Sequence, residues 1–215
     1  MSERDLRAVL IAALQRLDAL GLNRGSTGNL SHRLGEGFLI TPTGMGAADL
    51  GPDDLVWLGP DGTSRGRWQP SSEWHFHQAI YRARPELQAV VHTHSPQATA
   101  LACLRRELPA FHYMVAVAGG DSVRCAPYHL FGTEALSGAV VQALQDRKAC
   151  LLATHGLVAA GANLAEAMKV TVEIESLCQS YLLALAAGEP VLLSAHEMAS
   201  VLERFGRYGQ PSLKG

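Results

Sequence analysis

Apolar residues recur along this chain at two different spacings. Leu6, Val9, Leu10, Ala13, Leu14 and Leu17 fall three and four apart with charges between them, which predicts an amphipathic helix over 6–20 that stops at Gly21. The loop sequence Arg24-Gly25-Ser26-Thr27-Gly28-Asn29 follows. Shorter runs of β-formers then predict strands over 30–33, 38–41 and 55–58, with Thr41-Pro42-Thr43-Gly44 as a turn. Pro70-Ser71-Ser72-Glu73 predicts a serine-capped helix start, and that helix runs to about Arg84, before Pro85. A buried-type strand is expected over 88–93, a helix opening at Ser95-Pro96, a helix over 133–146, a strand over 149–154, and helices over 164–187 and 194–205. Helices and strands alternate, so the class is α/β or α+β with a central sheet covered by helices. The pattern leaves the strand order open.

The chain has 215 residues, of which 47% are hydrophobic and 18% charged, with 18 Lys+Arg against 20 Asp+Glu. That is enough apolar mass for one sizeable core, so we expect a single domain over 1–215 and no disordered protein. A near-neutral balance argues against a nucleic-acid partner. The most apolar stretches, 115–120 and 182–187, fall short of the ~20 residues a membrane span needs. Met1-Ser2-Glu3-Arg4-Asp5 carries both signs of charge and no signal-peptide core. Four scattered cysteines, Cys103, Cys125, Cys150 and Cys178, are expected to be reduced thiols in a cytoplasm.

Histidine placement changes the picture most. His92-Thr93-His94 closes a predicted strand, where residues two apart project to one face and can converge on one metal ion. His155 follows another apolar strand and precedes Gly156, which suits a tight turn at a strand end. Three imidazoles are a common zinc set with a fourth position open. Glu73 is a candidate for that position. It equally suits a carboxylate complementing the helix dipole, or an i, i+4 partner of His77. His32, His75, His112, His129 and His196 have no partner at a telling spacing and are expected at the surface or satisfied in the core. Gly28-Asn29, Thr43-Gly44 and Ser71-Ser72 offer backbone amides and hydroxyls for an anion, the last at a helix N-terminus. With a metal, they point to a small phosphorylated substrate.

Pro70-Ser71-Ser72-Glu73, Val91-His92-Thr93-His94 and Thr154-His155-Gly156-Leu157, in this order and spacing, resemble the class II aldolase/adducin family. Phe111-His112-Tyr113-Met114, Ala118-Gly119-Gly120, Cys125-Ala126-Pro127-Tyr128, Phe131-Gly132-Thr133, Leu202-Glu203-Arg204-Phe205 and Tyr208-Gly209 extend the resemblance over nearly the whole chain. The resemblance implies a three-layer αβα fold with a central, mainly antiparallel sheet, assembled as a homotetramer with sites between subunits. It implies one zinc per subunit on His92, His94 and His155, with Glu73 as fourth ligand and general acid/base. It places phosphate on Gly28, Asn29, Thr43, Gly44, Ser71 and Ser72, and makes Tyr113 a proton donor in a neighbouring subunit's site. The activity implied is retro-aldol cleavage of a ketose 1-phosphate, such as L-fuculose 1-phosphate, to dihydroxyacetone phosphate and an aldehyde. Alternatives in the same superfamily are an aldolase for 5-deoxyribulose or 5-methylthioribulose 1-phosphate, a ketopentose-phosphate 4-epimerase and a dehydratase. A different class is a non-catalytic adducin-like interaction domain, which shares the fold and is disfavoured by the three histidines; a metal-dependent hydrolase stands outside the superfamily. The tail 210–215 departs from the family pattern, which puts the sugar preference in question.

Overall fold

Ser2 opens the first helix with a reciprocal cap: its hydroxyl accepts from the Asp5 amide while the Asp5 carboxylate accepts from the Ser2 amide. The computed structural model describes residues 2–206; Tyr208-Gly209 and the divergent tail lie outside the described residues. Helix α1 (Glu3–Ala19) buries Leu6, Leu10, Ile11, Leu14 and Leu17. Val9 is exposed, against expectation. At 3.6 residues per turn it lies roughly 110° from the middle of that stripe.

A single eight-stranded sheet follows, in the order β4-β3-β2-β1-β5-β8-β7-β6. Its strands are β1 (Asn29–Leu34), β2 (Gly37–Ile40), β3 (Val56–Leu58), β4 (Ser64–Arg65), β5 (Ala89–Thr93), β6 (Cys125–Ala126), β7 (Ala149–Leu152) and β8 (Gly156–Gly161). All neighbours pair antiparallel except β6 with β7. The fold is therefore the mainly antiparallel one that the resemblance implies.

Consecutive residues of the inner strands feed opposite layers, as the two-residue period of a strand demands. Val90 and Leu152 pack with Phe76, Ile80, Leu136 and Val140, under α2 (Trp74–Ala83) and α4 (Glu134–Ala143). Leu151 and Leu157 pack with Leu101, Val170 and Ile174, under α3 (Pro96–Cys103) and α5 (Leu164–Ala187). Val91 joins the α1 cluster. A last helix, α6 (Ala195–Phe205), is capped by Ser194 and Glu197 in the same reciprocal way as α1.

Several boundaries differ from expectation for local reasons. Helix α2 begins at Trp74, and Glu73 occupies the cap position without a side-chain cap. Ser71 is used differently: its carbonyl accepts from the Trp74 amide and its hydroxyl from the Glu73 amide at 3.3 Å. The expected serine cap is thus a turn that delivers Glu73. Strand β7 ends at Leu152, two residues early, because Ala153–His155 make the turn into β8. Strand β8 is unpredicted. Helix α5 is long and apolar enough by length and composition to cross a membrane, which the apolar runs in the sequence did not suggest. Here it is a packed element, burying Val170, Thr171, Ile174, Leu177 and Cys178 against the sheet.

Candidate metal centre and anion cleft

Strand β5 supplies two of the three imidazoles. His92 is its penultimate residue and fully buried; His94 follows its last residue. Strand β8 pairs with β5 so that Val158 faces His92 and Leu157 faces Thr93. The β7–β8 turn therefore lies beside the end of β5 and brings His155 to the other two. The ring centroids stand 4.9 Å (His92–His94), 4.8 Å (His92–His155) and 4.8 Å (His94–His155) apart, each pair near perpendicular. The turn needs Gly156, because a Cβ there would run into the Thr93 carbonyl oxygen.

Glu73 completes the cluster. Its Oε2 lies 3.2 Å from His92 Nε2 and its Oε1 3.1 Å from His155 Nε2, while His94 Nε2 is 3.1 Å from His92 Nε2. The four ligand atoms all lie within 4.8 Å of one another. His92 Nδ1 can only donate to the carbonyl of Leu157, 3.0 Å away, so its Nε2 turns a lone pair into the cluster. Glu73 Oε1 is buried without a hydrogen bond. Lone pairs crowded at contact distance around an orphaned carboxylate oxygen suit a divalent cation, and the donor set suits zinc.

The electrostatics agree. Burial acts to raise the Glu73 carboxyl, but the His92 and His155 imidazoles, in their protonated form, outweigh it and hold it well below the usual carboxylate range. Burial, then the neighbouring His92 and His155 rings, push His94 down to about 4, against the pull of Glu73. A neutral imidazole is what metal binding requires.

His77 is not a fifth ligand. It is fully buried one turn along α2, with Nδ1 2.7 Å from Ser31 Oγ and Nε2 2.6 Å from Asn29 Oδ1. Burial pushes it down to about 3, so it is neutral. The pairing of Glu73 with His77 open at the sequence level is therefore indirect: Asn29 stands between them, donating Nδ2 to Glu73 Oε2 at 3.0 Å.

Glu73, His94 and His155 line a cleft of about 640 Å³, with His92 buried behind them. Gly28, Asn29, Thr43, Gly44, Ser71 and Ser72 all line it, with Ser26 and Thr27. Two pairings assemble these separate segments. Asn29 of β1 sits opposite His92 of β5. The Thr43 amide donates to the Gln69 carbonyl and the Ser71 amide to the Thr41 carbonyl, joining the 41–44 turn to the segment before α2. Gly28 has φ +75°, and a Cβ there would strike the Asn23 side chain and the His92 carbonyl. No lysine or arginine lines the cleft among the described residues.

Tyr128, His129, Phe131 and Thr154 also line the cleft. His129, expected to be uninvolved, is therefore part of the cleft. Its signal was weak, since only the fold shows that the loop before α4 reaches Ser72. The other unassigned histidines are local: His32 bonds the Arg33 carbonyl, His75 stacks on Trp74, His112 caps the short 3-10 helix Tyr113–Ala118, and His196 is exposed. Tyr113 is 51% exposed at the start of that helix and does not line the cleft of its own chain. Cys103 is exposed, Cys125 half-buried, and Cys150 and Cys178 buried; all four are free thiols.

Comparison with known proteins agrees with this geometry. Residues 8–182 match the family described as Class II Aldolase and Adducin N-terminal domain. The chain is 52% identical over 204 residues to a 5-methylthioribulose-1-phosphate/5-deoxyribulose-1-phosphate aldolase from Rhodospirillum rubrum, covering 95% of this chain and 92% of the relative. It is 46% identical over 210 residues to the L-fuculose phosphate aldolase of Escherichia coli K12, covering 97% and 98%. A solved L-fuculose 1-phosphate aldolase superposes with a TM-score of 0.91 at 38% identity, covering 94% of this chain and 96% of the other.

Proposed function

The chain belongs to the class II aldolase and adducin family, and from that premise we propose that it cleaves a ketose 1-phosphate by a metal-dependent retro-aldol reaction. The substrate is L-fuculose 1-phosphate or a related deoxyketose phosphate, and the products are dihydroxyacetone phosphate and an aldehyde. The observation that carries this reading is the convergence of Glu73, His92, His94 and His155 at a cleft walled by amides and hydroxyls. The Rhodospirillum rubrum relative, at 52% identity, favours the 5-deoxy and 5-methylthio pentulose phosphates as the first related substrates to try.

His92, His94, His155 and Glu73 would hold a zinc ion, which would supply Lewis acidity for the negative charge left when the carbon–carbon bond breaks. The chain's own groups do the rest. Gly28, Asn29, Thr43, Gly44, Ser71 and Ser72 hold the phosphate and place the scissile bond beside Glu73. The Glu73 carboxylate receives the proton released by the hydroxyl that becomes the aldehyde oxygen and returns it to the carbon that loses its partner. Tyr113, acting in the cleft of a neighbouring subunit, relays that proton and ends the step as the phenol it began as; its exposure and its absence from the lining of its own cleft support this. That role requires an oligomer with sites between subunits, and a homotetramer is the arrangement we propose, working in the cytoplasm as one domain over the whole chain. Among the described residues no lysine amine lines the cleft for a Schiff base.

The test is a panel of ketose 1-phosphates on zinc-loaded protein, reading dihydroxyacetone phosphate release. We expect release from L-fuculose 1-phosphate or a 5-deoxypentulose phosphate and its loss on chelation. Phosphate release without an aldehyde would replace the reading with a hydrolase.

A further inference from the structure

A continuous chain of five buried polar side chains leads away from Glu73 into the core. Tyr81 Oη lies 2.8 Å from Ser31 Oγ, Ser31 Oγ 2.7 Å from His77 Nδ1, His77 Nε2 2.6 Å from Asn29 Oδ1, and Asn29 Nδ2 3.0 Å from Glu73 Oε2. None of the five is more than 7% exposed. The far end is anchored by Tyr81 between Phe38 and the Arg33 guanidinium.

The chemistry of the groups fixes the direction of every bond. Glu73 is a carboxylate and can only accept, so the Asn29 amide must present its NH2 to it. Asn29 Oδ1 then faces His77, whose Nε2 must carry the proton. A neutral imidazole has one proton, so Nδ1 is bare and accepts from the Ser31 hydroxyl. Ser31 has spent its proton and accepts from Tyr81. Each link donates toward the carboxylate. The opposite tautomer would set two acceptors 2.6 Å apart at His77 and Asn29.

We propose that His77 is a positioning residue that, through Asn29, pins Oε2 of Glu73 as a hydrogen-bond acceptor and leaves Oε1 as the atom that carries the transferred proton. Oε1 is the carboxylate oxygen without a hydrogen bond. The inference rests on the reading of Glu73 as general acid/base given above. It also assigns Asn29 a second duty. Its side-chain oxygen and one amide proton are committed to His77 and Glu73, so only the second amide proton and the backbone remain for an anion.

The experiment uses the full-length, metal-loaded protein. Imidazole nitrogen NMR at neutral pH should show His77 protonated on Nε2 and bare on Nδ1; the reverse tautomer would overturn the proposal. His77→Gln places an amide donor near the Nε2 position, whereas His77→Asn places one near Nδ1 and cannot reach Asn29. His77→Gln should stay within a few-fold of wild-type kcat. His77→Asn should lose about 10- to 100-fold in kcat with KM and bound metal nearly unchanged. Should His77→Asn fail to fold, Ser31→Ala removes the donor to Nδ1 but leaves Asn29 Oδ1 facing Nε2, so the proton should stay on Nε2; a switch to Nδ1 would overturn the proposal. If wild-type protein cleaves no ketose phosphate, the functional reading falls while the tautomer still decides the arrangement. If wild type is active and the Gln and Asn variants turn over alike, the positioning role falls alone.

Discussion

The ring of His92 is locked by the carbonyl of Leu157, which accepts from Nδ1 at 3.0 Å across the β5–β8 seam. That bond commits the opposite nitrogen to the cluster before any ligand arrives. Purified protein should therefore hold about one divalent ion per chain. His92→Ala and His155→Ala should each bring the content close to zero by elemental analysis, with the fold retained by circular dichroism. Full occupancy in either variant would remove that residue from the ligand set.

Glu73→Gln separates holding from proton transfer. The amide oxygen still faces the imidazoles, so bound metal should fall only modestly. Turnover should drop by about 10²- to 10⁴-fold, the usual worth of a positioned acid/base. Near-normal turnover in the steady state would show that Glu73 moves no proton.

Tyr113 supplies a test of assembly as well as of chemistry. Tyr113→Phe should slow cleavage without changing metal content. Because its own cleft lies elsewhere, mixing inactive Tyr113→Phe and Glu73→Gln chains under exchange conditions should restore part of the activity through mixed oligomers. No recovery from demonstrably mixed assemblies would rule out Tyr113 acting in a neighbour's cleft.

Two substitutions probe the scaffold. Gly156→Ala forces a methyl group into the Thr93 carbonyl and should cost about 1–3 kcal/mol by denaturant unfolding, with weakened metal binding. Phe76→Ala empties a fully buried position beneath the sheet and should cost about 3–5 kcal/mol.

Acid should loosen the fold through His77. Its folded-state value is about 3 against an ordinary 6.5, so between those values the unfolded chain binds the extra proton. Its contribution is complete above 6.5 and is lost as pH falls through that window. The groups it faces oppose one another: His92 adds to the effect and Glu73 reduces it. Metal-free His77→Gln should show a shallower drop in Tm between pH 6.5 and pH 4.5 than metal-free wild type. Parallel curves would assign the acid sensitivity to other groups.

The chemistry was more legible than the scaffold. A histidine pair two apart at a strand end, and a third before a glycine, can be read from periodicity alone. Strand β8 was not, because Gly156-Leu-Val-Ala-Ala-Gly161 carries a single β-branched residue and is buried along its whole length, so nothing alternates. Ser71 and Ser72 predict a start of α2 that is too early, because they look like a cap, whereas the bonds of Ser71 shape the turn before the helix. His129 and Phe131 reach the cleft through tertiary packing, which no local pattern encodes. Glu73 had three readings at the sequence level, and only the interposed Asn29 separates them.

Among the described residues no cationic side chain lines the cleft, which bears on how a phosphate would be held there. A phosphate seated among amide and hydroxyl dipoles sheds few condensed counterions, and its attraction is short in range. Its affinity should consequently change little with ionic strength, in contrast to an arginine-lined pocket. Among the described residues the cleft lining offers such an anion no full positive charge, so an ion held by the histidines would supply one. Stripping that ion should weaken the grip on inorganic phosphate as well as stop turnover, although no phosphate ligand would have been touched.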